Sequence, residues 1–120
     1  MIEVKNLTKV YGNHTAVDHV SFTIDSGKIY GFLGPNGAGK TTTMNIITGC
    51  LAATEGTVTI DGHDIYEEPI AAKKCIGYLP EMPPLYQDMT VMDYLRFVAE
   101  AKGVESKKLS GEVELVMKQT

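Results

Sequence analysis

The sequence predicts an α/β fold in which an antiparallel β region leads through a short buried strand and a glycine-rich loop into a helix. Three observations carry this. Ile2 and Val4, and later Val20, Phe22 and Ile24, alternate with polar neighbours at the period of strands that bury one face. Ile29 to Leu33 is an almost wholly apolar run, as expected of a parallel strand covered on both faces. Between that run and a segment with helical spacing stands Gly34-Pro35-Asn36-Gly37-Ala38-Gly39-Lys40-Thr41.

The elements follow in order. The first strands are joined by a turn near Gly12 and Asn13. After the loop, residues 40 to 48 place Met44, Ile47 and Thr48 at i, i+3 and i+4 with no proline, which predicts a helix. Thr57 to Ile60 alternates again and meets Asp61-Gly62, a pair that favours positive φ and so a hairpin or tight corner, with Ile65 on the return. Ile76 to Leu79 reads as another short strand, and Pro80, Pro83 and Pro84 make the next segment an extended connection. Thr90 with Asp93 resembles a capping box, and Val91, Tyr94, Leu95 and Val98 share one helical face until Gly103. Leu109-Ser110-Gly111 reads as an interhelical turn, and Val113, Val116 and Met117 as one more amphipathic helix.

Composition narrows the function classes. The 120 residues hold 11 Lys and Arg against 15 Asp and Glu, a formal charge of −4, with 43% apolar and 22% charged residues. That is the balance of one globular domain at most, and it excludes disorder and collagen-like repeats. Arg96 is the single arginine, so there is no basic footprint for a run of nucleic-acid phosphates. Cys50 and Cys75 form neither a zinc pattern nor a disulfide framework, which favours a reducing compartment. No stretch approaches the roughly 18 apolar residues of a membrane span, and the N-terminal residues do not read as a secretion signal.

The glycine-rich loop satisfies G-x-x-x-x-G-K-[ST] at every defined position and has the strand-to-helix context the motif requires. At this chain's composition a chance match arises in roughly one such sequence in eighty, before the context is counted. Glycines at 34, 37 and 39 let the backbone curl so that its NH groups turn inward and add to the positive end of the helix dipole. A polyphosphate fits that concavity. Lys40 supplies a full charge for the β and γ phosphates, the Thr41 hydroxyl is placed to coordinate Mg²⁺, and Thr42 donates to the α phosphate.

The string Gly-Pro-Asn-Gly-Ala-Gly-Lys-Thr-Thr resembles the Walker A sequence of ATP-binding cassette (ABC) ATPases, and the resemblance extends along nearly the whole chain. It implies a P-loop NTPase fold: an antiparallel β region over residues 1–28, a P-loop core with part of a parallel sheet over 29–80, and a Q-loop with the start of a helical subdomain over 81–120. It implies Tyr11 as the aromatic that stacks on adenine and Ala16-Val17, Val17 above all, as its apolar neighbour, with Gly34, Pro35, Asn36, Gly37, Ala38, Gly39, Lys40, Thr41 and Thr42 holding Mg-ATP. Ile76-Gly77-Tyr78-Leu79-Pro80-Glu81 is similar to the strand and start of the family's Q-loop. Glu81 stands where the family has a glutamine near Mg²⁺ and the attacking water, which implies Glu81 as a catalytic residue and, with Thr41, a metal ligand. A carboxylate can bind Mg²⁺ or hold a water but, when ionised, donates no hydrogen bond. Pro80-Glu81 with Pro83-Pro84-Leu85-Tyr86 resembles ATPase subunits of exporter-type (ABC-2) systems.

The family's signature sequence, Walker B Asp-Glu and switch histidine are not found, so the chain reads as the first half of a nucleotide-binding domain. Such a piece is expected to hydrolyse ATP poorly or not at all. The resemblance further implies ATP hydrolysis coupled to transport in a complete protein. It also implies a second nucleotide-binding domain across the nucleotide, a transmembrane permease partner and a position at the cytoplasmic face of a membrane. The alternative is a non-transport ABC-type ATPase or a nucleotide-dependent regulatory module. A small kinase or GTPase fits less well: no Asn-Lys-x-Asp sequence occurs, and strands precede the loop. His14, His19 and His63 show no metal spacing and read as surface or strand-face residues.

Overall fold

The computed structural model describes residues 1–120. Strand β1 (Ile2–Tyr11) and strand β2 (His14–Ile24) form an antiparallel hairpin around Gly12 and Asn13, with Tyr11 directly opposite His14. The ladder is irregular in a useful way. Val4 pairs with Phe22 but Leu7 pairs with Val20, so β1 carries an extra residue between them, and Asn6 there has φ of 48°. The bulge changes the phase of the pleat, which lets Val4 and Leu7, three residues apart, both point inward.

Helix α1 (Lys40–Ile47) follows the glycine-rich loop, as expected, and buries Thr43, Ile46 and Ile47. Strand β3 (Glu55–Ile60) pairs with β1, and the two-residue strand β4 (His63–Asp64) returns through a turn with φ of 48° at Asp61 and 85° at Gly62. Positive φ at both central residues is the hairpin geometry that Asp-Gly favours. The sheet order is β2-β1-β3-β4. Its core is made of Val4, Leu7, Val17, Val58 and Ile60 from the strands, with Ile46 and Ile47 of α1, Ile65, and Ala72 of the short helix α2 (Pro69–Lys74). Full burial of each large aliphatic side chain contributes about 1.5 to 3 kcal/mol.

Two expectations fail here. Ile29 to Leu33 and Ile76 to Leu79 are not strands, and the chain contains no parallel pairing. A ladder needs a partner, and neither run has one among these four strands. Their side chains are correspondingly uncovered: Ile29 is fully exposed, Leu33 is 91% and Leu79 81% exposed. Phe32 does pack on Phe22, with ring centroids 5.5 Å apart.

The chain divides into two units, Met1–Tyr78 and Leu79–Thr120. The second contains helix α3 (Val91–Ala101) and helix α4 (Ser106–Gln119). Thr90 caps α3, its hydroxyl accepting from the Asp93 amide at 3.2 Å, and Gly103 at φ 83° follows the helix end. The proline-rich segment docks on α3 through Tyr86, edge-on to Phe97 at 5.7 Å. Leu109-Ser110-Gly111 is not a turn; it lies inside α4. One glycine costs a helix about 1 kcal/mol, and the helix-forming residues on either side carry α4 through it.

Candidate functional site

A hollow of about 450 Å³ opens at the junction of the β1–β2 hairpin with the glycine-rich loop. The hairpin contributes Tyr11, His14 and Ala16; the loop contributes Pro35, Asn36 and Gly37; the helix start contributes Gly39, Lys40, Thr41 and Thr42. Each part is placed by an identifiable local cause. On β2, Val17 faces Lys9 while Thr15 faces Val10, so Ala16 is the extra residue at the third register shift of this ladder and is turned toward the loop. Gly39, at φ 90°, lies directly under it. A Cβ at Gly39 would fall inside the van der Waals envelope of the Ala16 carbonyl oxygen and 3.2 Å from Val17 Cγ2. Gly39 is therefore required twice, by its backbone angle and by the strand above it.

Helix α1 has no acidic residue in its first turn and no side-chain cap at Gly39. Its first amides are thus not taken up by a neighbouring side chain, and they carry the positive end of the helix dipole. The Thr43 hydroxyl turns the other way, donating to the Gly39 carbonyl at 2.8 Å, so it pins the loop to the helix. Lys40 Nζ donates to the carbonyls of Gly34 and Pro35, the latter at 3.0 Å. It forms no salt bridge, and no carboxylate lines the hollow. In a chain of net charge −4 this is a local concentration of donors with uncompensated positive charge, suited to a polyanion.

A larger hollow of about 730 Å³ lies beside Leu51 to Val58 and Asp64 to Glu67. Glu55, Asp64 and Glu67 line it and no lysine or arginine does, so its charge disfavours phosphate. The smaller hollow is the candidate site.

The structure brings together most of the residues singled out in the sequence, but not all. Tyr11, Pro35, Asn36, Gly37, Gly39, Lys40, Thr41 and Thr42 share the hollow. Gly34 and Ala38 stand outside its lining; Gly34 has an ordinary φ and serves through the carbonyl that holds Lys40. Val17 is 4% exposed and belongs to the core beneath Gly39, and Ala16 takes the place expected of it at the wall. Glu81 is exposed and lies in the second unit. His14 also reaches the hollow, and is more than the surface or strand-face residue its lack of metal spacing suggests. Hairpin arithmetic carried the signal: with a two-residue turn at Gly12 and Asn13, His14 must face Tyr11.

The sequence profile described as ABC transporter matches residues 17–120. The chain belongs to this family. Among its ABC relatives, the uncharacterized ABC transporter ATP-binding protein YhcH of Bacillus subtilis (strain 168) is 43% identical over 117 residues, covering 97% of this chain and 38% of YhcH. The probable multidrug ABC transporter ATP-binding protein YbhF of Escherichia coli (strain K12) is 40% identical over 107 residues, 89% of this chain and 18% of YbhF. A dimeric structure of the ATP-binding cassette MJ0796, in a post-hydrolysis state with ADP and Pi, superimposes with a TM-score of 0.80 at 25% identity, covering 98% of this chain and 56% of that one. The chain thus spans less than two fifths of the length of these curated ABC relatives. It matches the P-loop fold of the family with its N-terminal antiparallel β region. No helix in it is long and apolar enough to cross a membrane.

Proposed function

We propose that this chain binds Mg-ATP in the hollow between Tyr11 and Lys40, as part of the ATP-binding subunit of an ABC transporter. The observation that carries the reading is Lys40, a lysine without a counter-ion, held by two carbonyls at the mouth of an uncapped helix. The Lys40 ammonium and the amides that open α1 bind the phosphates, and Thr42 adds a donor. Tyr11 stacks on the adenine, with Ala16 beside it. The Thr41 hydroxyl, at the helix start, fits the hard oxygen donor that Mg²⁺ prefers, and the ion would neutralise charge on the β and γ phosphates. Glu81 is the second candidate oxygen donor and the candidate for holding the attacking water. In the whole protein the expected work is ATP hydrolysis coupled to transport, with a second cassette across the nucleotide. The loop from Glu81 to Tyr86 would face a permease at the cytoplasmic side of the membrane. The names of YbhF, a probable multidrug transporter component, and of the dimeric MJ0796 cassette support exporter-type transport and cassette pairing.

Titration with ATP tests the site. Lys40→Ala removes a charge-assisted contact and is expected to weaken ATP binding by about 10-fold or more, with far-UV circular dichroism unchanged. Equal affinity in the variant overturns the assignment.

A further inference from the structure

Tyr11 is 48% exposed at the end of β1, and an aromatic ring so placed is free to rotate unless something fixes it. Lys9 lies two residues earlier, on the same side of the strand. Its Nζ stands 5.1 Å from the centroid of the Tyr11 ring, within the range of a cation–π contact. The same ammonium donates to the Ala52 carbonyl at 2.7 Å, and Lys9 forms no salt bridge. Ala52 is itself a fixed point, because the segment between α1 and β3 is laced to β1. The Thr54 amide donates to the Thr8 carbonyl at 2.8 Å, and the Val10 amide to the Thr54 hydroxyl at 3.0 Å. The lysine head is thus held in place by backbone and holds the ring in turn.

We infer that Lys9 is a positioning residue for base recognition: anchored on Ala52, it orders the Tyr11 ring and so favours a ligand with a planar base over a bare polyphosphate. The inference rests on the reading of Tyr11 as the stacking residue. Ordering the ring in advance spares the ligand part of the rotamer entropy it would otherwise have to offset.

The test compares dissociation constants for ATP and inorganic tripolyphosphate in the full chain, for the parent and the variants Tyr11→Leu, Lys9→Met and Lys9→Arg. The ratio of the two constants cancels the long-range effect of a lost charge, which weakens both ligands. Tyr11→Leu should abolish the preference for ATP. Lys9→Met should reduce that preference by about 2- to 5-fold while Lys9→Arg, which keeps the charge and the donor, retains it. An unchanged ratio in Lys9→Met, or equal losses in Lys9→Met and Lys9→Arg, overturns the role of Lys9 and leaves Tyr11 stacking intact. An unchanged ratio in Tyr11→Leu overturns the stacking reading and the inference with it.

Discussion

Gly39 shows how much of this site depends on one missing atom. Its φ of 90° and the Ala16 carbonyl above it leave no room for a Cβ. Gly39→Ala is therefore expected to cost about 2 to 4 kcal/mol, read as a shift in the urea midpoint of the Met1–Tyr78 unit, with loss of ATP binding. A variant as stable as the parent would show that the loop and β2 can move apart at little cost. Gly34 makes the contrast. A Cβ there would meet Ala38 at an ordinary 3.5 Å, so its importance lies in the carbonyl oxygen given to Lys40 and not in its lack of a side chain.

Among the elements, α3 depends on its cap. Thr90→Ala removes the acceptor for the Asp93 amide and should lower the hydrogen-exchange protection of the first turn of α3 by about 1 kcal/mol, as measured on individual amides. Unaltered protection there would mean that packing alone sets the helix start. Where such local chemistry decides an element, the sequence was readable: the Gly12-Asn13 and Asp61-Gly62 turns, the α1 start and the Thr90 cap all stand where residue type puts them. Helix α2 carried a usable sign in Pro69, whose fixed φ suits the first helical position, but six residues are too few to show periodicity. Ile29 to Leu33 departs from the expected strand for a different reason. An apolar run states that a segment can be covered, and whether a strand forms there depends on partners that the run itself cannot specify. Which of Ala16 and Val17 lines the hollow was equally illegible, because a bulge follows from the pairing of two strands and leaves no mark in either one alone.

The whole molecule adds a linkage that no single element has. The hollow is assembled from residues 11–16 and 35–42, so it exists only while the hairpin, the loop and α1 are folded together. Nucleotide that binds only this state should stabilise the Met1–Tyr78 unit by about 2.7 kcal/mol at a free concentration one hundred times its dissociation constant. Thermal unfolding at increasing ATP checks this, and a midpoint indifferent to ATP would mean that the ligand is held elsewhere or by the unfolded chain too. The bulge at Ala16 is what ties the two halves of that assembly. Lys9 to Val17 and Val10 to Thr15 would make an unbroken ladder if residue 16 were simply left out. Strand pairing therefore has no use for it. The extra residue acts as a mould, its carbonyl pressed against the turn that precedes Lys40, so that the shape of the anion cradle is stamped by a hairpin whose own hydrogen bonds do not need the stamp.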